Sequence, residues 1–258
     1  MATRPSAVTI SVEKGLAIVR LAREHGNAIN EDLVEGLMAA CREAVADPGV
    51  RGVLLASHGK LFCPGLDLKE LVALDRRSMG RFMVRFRDVL LDLYTLPKPM
   101  VAAISGPAMA GGCILSLTAD WRILKRGAPI GLNEIKVGVP LPFGVARVLK
   151  DSVHRPRLEE VALLGLNYLN EEAVATGLVH ELHEESGFEE HCLKRLDEFA
   201  GKDLRSFAAT KKYLRSATAA MIEAEDHRHQ KEFLDCWFSA DTRRKIDEIV
   251  AGLKARSA

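Results

Sequence analysis

Residues 96–113 read Leu96-Pro97-Lys98-Pro99-Met100-Val101-Ala102-Ala103-Ile104-Ser105-Gly106-Pro107-Ala108-Met109-Ala110-Gly111-Gly112-Cys113. Their order is helix stop, strand, loop, helix start. Pro97 and Pro99 cannot continue the helix before them. Met100 to Ile104 (MVAAI) is a short apolar run of the kind that forms a buried strand. Gly106 to Gly112 (GPAMAGG) is a loop, and Cys113 to Ala119 reads as a buried helix. Gly106 to Gly111 has the glycine spacing of a phosphate-binding loop, yet Gly112 and Cys113 stand where lysine and a hydroxyl residue would follow. A nucleotide triphosphatase is disfavoured, and the GxGxxG pattern of a dinucleotide fold is absent. What remains is a tight turn, or a glycine-rich helix start. Such a start leaves backbone N–H groups free, with the helix dipole behind them.

The flanking sequence extends the alternation. Upstream, Arg51 to Ser57 is a short buried strand, and a helix rich in arginine runs from about residue 75 to 95. Asn30 caps an earlier helix with Glu31 and Asp32 in its first turn and Leu33, Val34, Leu37, Ala40, Cys41 and Ala44 at helical spacing. Before it, Val8, Ile10 and Val12 alternate with polar residues, and Glu13-Lys14-Gly15 turns into a return strand from Leu16 to Leu21. Downstream, Trp121 to Leu124 is a strand. Residues 129 to about 143 read as irregular, and the remainder as mostly helical with one strand near Val179 to Leu182. Asp241 is expected to cap the last helix, whose stripe is Ile246, Ile249, Val250 and Leu253. Strands alternating with helices give an α/β domain. The expected division is a core over 1–200 and a helical region over 201–258.

Composition narrows the function. Of 258 residues, 36 are Lys or Arg and 35 are Asp or Glu, a net charge of +1 that argues against a general nucleic-acid binder. The 48% hydrophobic content excludes disorder, and no apolar run reaches the ~18 residues of a membrane span. Five widely spaced cysteines without a CxxC pair argue against a disulfide framework or structural zinc and suit a reducing compartment. The start lacks the apolar segment of a secretory signal, and the end, Arg256-Ser257-Ala258, is no peroxisomal address. The expected location is therefore the cytoplasm.

The loop Phe62-Cys63-Pro64-Gly65-Leu66-Asp67-Leu68 resembles the F-x-x-G-x-D-[IL] signature of the crotonase superfamily, the enoyl-CoA hydratases and isomerases. Residues 96–106 resemble its P-K-P-x-[VI]-A-x-[IV]-x-G segment. Ala110-Gly111-Gly112-Cys113 resembles its helix start, Asp120 its aspartate eight residues later, and Asn27-Ala28-Ile29-Asn30 its R-N-A-[LM] segment. The resemblance runs over most of the chain, strongest from 51 to 145. It implies a spiral of ββα units and a C-terminal helical region that mediates trimerisation, giving a homo-trimer or hexamer. It also implies an acyl-CoA substrate, with CoA carried on that substrate rather than held as a cofactor.

By motif position, the oxyanion hole would be the backbone N–H groups of Leu66 and Gly111. Substrate contacts would come from Cys63, Gly65, Asp67, Leu68, Lys69, Gly112, Ile114 and Pro142. Hydratases of the family carry two glutamates. Here the first position is Ile114 and the second is Glu134. Adding water usually takes a pair of acid/base groups, whereas moving a double bond needs one base. Gly131-Leu132-Asn133-Glu134, Val137-Gly138-Val139, Pro142-Phe143, Leu149-Lys150-Asp151 and Phe238-Ser239-Ala240-Asp241 resemble the mitochondrial Δ3,Δ2-enoyl-CoA isomerases, which also use a single glutamate. The interval from Gly111 to Glu134 is two residues shorter than in them. Glu134 is thus expected to be a lone proton shuttle whose burial raises its pKa. An atypical hydratase and a non-catalytic acyl-CoA-binding subunit are the alternatives.

Other candidates are weaker. Arg76 to Arg87 read as a solvated face or as CoA phosphate contacts. Leu71, Leu74, Phe82, Met83 and Phe86 read as core or acyl pocket. His180-x-x-His183 and His227-x-His229 lack a ligand set, so no metal is expected. Cys63 and Cys113 lack the partner histidine a nucleophile needs.

Overall fold

The computed structural model describes residues 6–24 and 26–255; the C-terminal tripeptide just discussed lies outside the described residues. Lys14 and Gly15 both have positive φ, the two-residue turn that closes a hairpin between β1 (Val8–Glu13) and β2 (Leu16–Leu21). Asn30 accepts a hydrogen bond from Leu33 N and starts α1 (Glu31–Ala46). β3 (Gly52–Ser57), the single turn α2 (Leu68–Leu71) and α3 (Arg76–Tyr94) follow. Next come β4 (Met100–Ile104), β5 (Ala108–Met109), α4 (Gly111–Leu117), β6 (Trp121–Lys125) and β7 (Pro129–Gly131). The chain continues through α5 (Glu134–Val137), α6 (Phe143–Ser152), α7 (Leu158–Leu163), β8 (Asn167–Leu169), α8 (Asn170–Thr176) and β9 (Glu181–His183). It finishes with α9 (Phe188–Ala200), α10 (Leu204–Trp237) and α11 (Ala240–Ala255).

The main sheet has the order β1-β2-β3-β4-β6-β9, antiparallel only at the β1–β2 hairpin. Parallel strands are covered on both faces, so they read as continuous apolar runs. On one face Leu16, Ile18, Leu54, Val101, Ala103 and Ile123 pack against Phe188, Cys192 and Leu196 of α9. On the other, Ala17, Val53, Leu55, Met100 and Ala102 belong to the larger core with α1 and α3.

A second, smaller layer positions the site. β5 pairs in parallel with β7, and Cys63 forms a parallel bridge to Ala108. Each turn of chain therefore lays one strand in the main sheet, one short segment in the small layer, and then a helix. This is the ββα spiral implied by the resemblance.

Several boundaries differ from the sequence reading. The loop over 106–112 contains β5, because Ala108 and Met109 find partners in β7 that no local pattern announces. The stretch expected to be irregular, 129–143, holds β7 and α5 for the same reason. α4 begins at Gly111 rather than Cys113. The strand near Val179 is β9, beginning at Glu181. The cap of α11 is Ser239, whose Oγ accepts from Thr242 N at 3.3 Å, so Asp241 lies in the first turn instead. A tight turn at Arg126-Gly127, with Gly127 at positive φ, connects β6 to β7 between Gly111 and Glu134.

Candidate active site

Three loops at one end of the spiral meet around the N-terminus of α4. The first, 58–68, is shaped by buried Asn27, whose Nδ2 donates to His58 O and Leu61 O at 3.1 Å and to Phe62 O at 3.2 Å. Its far end is pinned by Asp67. One carboxylate oxygen of Asp67 caps α2 through Lys69 N and Glu70 N, and the other accepts from Arg23 Nη1 at 2.6 Å. Ile29 N donates to Gly65 O and Asp67 N donates to Ile29 O, each at 2.8 Å. These bonds fix residue 66 from both sides, while the Leu66 N–H itself has no acceptor among the described residues.

The second loop delivers Gly111. Ala110 N donates to Gly131 O at 2.8 Å, and Ala110 adopts φ 47°, ψ −120°. This is a strained conformation for a residue with a Cβ, of the sort that a surrounding structure must hold in place. It turns the chain abruptly into α4, whose first N–H groups have no intrahelical partner and no side-chain cap. The Gly111 N–H has no acceptor among the described residues. Glycine is required here by close approach. A Cβ on Gly111 would lie 2.6 Å from Ile29 Cδ1 and 3.3 Å from Gly65 Cα, and one on Gly112 only 2.0 Å from Cys63 O. The absence of both side chains lets the 58–68 loop press directly on the start of α4.

The third loop carries Glu134, the first residue of α5. Gly138 ends α5 in the left-handed conformation (φ 101°), and its N–H together with that of Val139 bonds back to Glu134 O at 3.1 and 3.2 Å. The side chain is 9% exposed, and Oε2 is buried without a partner. Burial pushes the Glu134 pKa up to about 7, with its own backbone N–H pulling modestly the other way.

Between these loops lies a cavity of about 190 Å³. Leu66, Leu68, Gly111, Ile114, Glu134 and Pro142 line it, six of the residues anticipated from sequence. The others do not. Cys63 is fully buried behind Gly112, Gly65 packs on Gly111, Asp67 is the clamp described above, and Lys69 is exposed. Met83 and Phe86 of α3 reach the cavity, whereas Leu71 and Phe82 are buried in the core and Leu74 packs against it. Sequence reasoning missed Phe233 and Trp237 of α10 and assigned Ile249 of α11 only to a helix stripe. All three line the cavity. The four-residue spacing of Phe233 and Trp237 on one helix face was a usable signal. Nothing local says which surface that face meets. Glu134 is the sole ionisable side chain lining the cavity among the described residues.

The weaker candidates also find their places. Arg76 pairs with Asp235, Arg85 with Glu31 and Glu35, and Arg87 with Asp88. His180 stacks on Trp121 and His229 on Phe143. No group of three or more His, Cys, Asp or Glu suited to a metal occurs among the described residues. Burial drives both Cys63 and Cys113 thiols up, Cys63 to about 12, so neither is a thiolate near neutral pH.

A ββα spiral, two adjacent N–H groups without acceptors and a buried carboxylate at an apolar cavity together describe the crotonase class. The chain belongs to the enoyl-CoA hydratase/isomerase family, whose profile matches residues 11–253. It is 34% identical to a putative enoyl-CoA hydratase of Thermus thermophilus over 67% of this chain and 70% of that one. It is 26% identical to human mitochondrial enoyl-CoA delta isomerase 1 over 90% of this chain and 77% of that one. The crystal structure of human mitochondrial Δ3-Δ2-enoyl-CoA isomerase superposes with a TM-score of 0.89 at 25% identity, covering 98% of this chain and all of the other. Both kinds of chemistry are thus represented among its relatives.

Proposed function

We propose that the protein is a Δ3,Δ2-enoyl-CoA isomerase with Glu134 as its single proton shuttle. The observation that carries this reading is that Glu134 is the one ionisable group at the cavity among the described residues, with Ile114 where a hydratase of the family has its other glutamate. The Glu134 carboxylate takes a proton from C2. The C–H electrons pass toward the thioester carbonyl and form a dienolate. Leu66 N–H and Gly111 N–H donate to the developing oxyanion; one such preorganised donor is worth ~3 kcal/mol. The protonated Glu134 then returns the proton at C4, and the double bond moves from C3–C4 to C2–C3. A pKa of about 7 suits a group that must both accept and release that proton. CoA is the carrier of the substrate and not a resident cofactor.

The competing reading is hydration. Asn133 also lines the cavity, and its amide can hold a water but cannot deprotonate it. The test is turnover of 3-hexenoyl-CoA and crotonyl-CoA with the products followed by NMR. Isomerisation by the native enzyme and its loss by about 10²–10⁴-fold in Glu134→Gln are expected. Retained isomerisation in Glu134→Gln, or hydration as fast as isomerisation, overturns the assignment. Absence of any turnover would favour an acyl-CoA-binding subunit.

We also propose a homo-trimer or hexamer in the cytoplasm. What supports assembly is exposed apolar surface: Leu163, Leu164, Leu169 and Ile135 around α5, α7 and β8, and Tyr213 (78%) and Leu214 (75%) on α10. Repeated contact between two different patches closes a ring. Light scattering should give three or six chain masses, and a monomer would overturn it. The five cysteines are unpaired, which suits a reducing compartment, and no helix among the described residues is long and apolar enough to cross a membrane.

A further inference from the structure

Beyond the main cavity lies a second, smaller one, of about 30 Å³. The two share Met83, Phe86, Pro142 and Phe233 as a common wall. The far chamber is lined mainly by apolar side chains, Leu90, Phe143 and Val145 among them, and several of the polar groups that border it are already bonded. Asp226 Oδ1 accepts from Gly144 N at 3.1 Å, Gln230 Nε2 donates to Gly80 O at 2.6 Å, Arg87 pairs with Asp88, and the His229 ring lies flat on Phe143. An alkyl terminus suits such a space, and a charged or hydroxylated one does not.

The wall is unequal in stiffness. Phe233 is stacked on Trp237, with ring centroids 6.1 Å apart and planes 20° apart, and is 5% exposed. Met83 is unbranched, with a flexible thioether side chain that fills gaps and yields readily. The cavity must already hold the reacting carbons next to Glu134, so little of its 190 Å³ remains for the rest of the acyl chain.

We propose that Met83 and Phe233 form an internal partition that limits the acyl chain to short and medium linear tails, and that opening it admits longer ones. This rests on the acyl-CoA reading above. The test measures Kd for hexanoyl-CoA and dodecanoyl-CoA by calorimetry, and kcat/KM for 3-hexenoyl-CoA and 3-dodecenoyl-CoA. The proteins are the native enzyme, Met83→Ala and Phe233→Leu, each checked for native circular dichroism. The native enzyme is expected to favour the six-carbon chain. Each variant is expected to shift the ratio toward the twelve-carbon chain by about 10-fold or more, the scale on which single pocket groups discriminate chain length. If one variant fails to fold, the other decides. An unchanged chain-length ratio in a folded variant, or a native enzyme that binds both chains equally, overturns the partition. The binding arm reads the partition even where no isomerisation occurs, so its failure is distinct from failure of the isomerase assignment.

Discussion

Glu134 owes its raised pKa to where the fold puts it. An exposed glutamate titrates near 4.5; buried with Oε2 unpartnered, this one is pushed to about 7. Between those values the folded protein holds a proton that the unfolded chain has already lost. Stability therefore falls as pH rises through that window and levels off above it, a loss of no more than about 3 kcal/mol. Glu134→Gln removes the titration. Its melting temperature is expected to exceed that of the native protein at pH 8, with the gap closing toward pH 5; scanning calorimetry at the two pH values checks this. The same pKa predicts that kcat/KM for a 3-enoyl-CoA drops below about pH 7 as the base is protonated, and a flat profile from pH 5.5 to 8 would contradict it. Glu134 and Ile114 were legible as a contrast in the sequence, because the motif fixes their register. The size of the pKa shift was not, since it depends on which side chains wall the cavity.

α5 is a single turn and does not hold itself in place. Its C-terminal Gly138 carbonyl accepts from Thr242 Oγ1 at 3.0 Å, and Thr242 is 3% exposed in the first turn of α11. Arg243 beside it donates to Val72 O at 2.9 Å, just past α2. The last helix thus clamps both the Glu134 turn and the turn after the 58–68 loop. Thr242 thereby ties the C-terminal end of the Glu134 turn to α11. Thr242→Val is expected to cost about 1 kcal/mol of stability in urea unfolding. It should also lower kcat by roughly tenfold, short of the ~10² that a 1 Å misplacement can cause. Thr242→Ser should restore kcat and the native pH profile; failure of that rescue would assign the effect to packing alone. At this scale the sequence displayed α1 with its Asn30 cap, α3 and the buried strands, all of which satisfy their own local signals. It did not display β5, β7 or β8, which are two or three residues long and exist because they pair with one another.

The expected boundary near residue 200 separates segments by secondary structure, yet the cavity draws on both sides of it. α10 is tied to the sheet by charge as well as by its aromatic face. Lys211 Nζ lies 2.8 Å and Arg215 Nη2 2.9 Å from the Asp120 carboxylate, which also accepts from Met100 N. Arg215 donates further to Tyr94 O and Thr118 O at 2.6 and 2.9 Å. Lys211 is 5% exposed, and burial outweighs Asp120 and draws its pKa down to about 8. Removing the carboxylate leaves two cations in a poorly solvated place. Asp120→Asn is expected to cost about 3–5 kcal/mol. The measurement is chemical denaturation, and a loss below about 1 kcal/mol would show the cluster to be screened by solvent. A truncation near residue 200 would remove Phe233, Trp237 and Ile249 from the cavity wall together with this anchor.

The alternation of buried strands and helices, the glycines at 65, 111 and 112 and the lone glutamate at 134 are all legible in the chain itself. Each is encoded in residue type and short-range spacing. Which helices roof the cavity, how far Glu134 is desolvated and where the cavity ends are settled by packing. Those depend on side chains more than a hundred residues apart coming within van der Waals reach, and no local pattern records which apolar face will meet which.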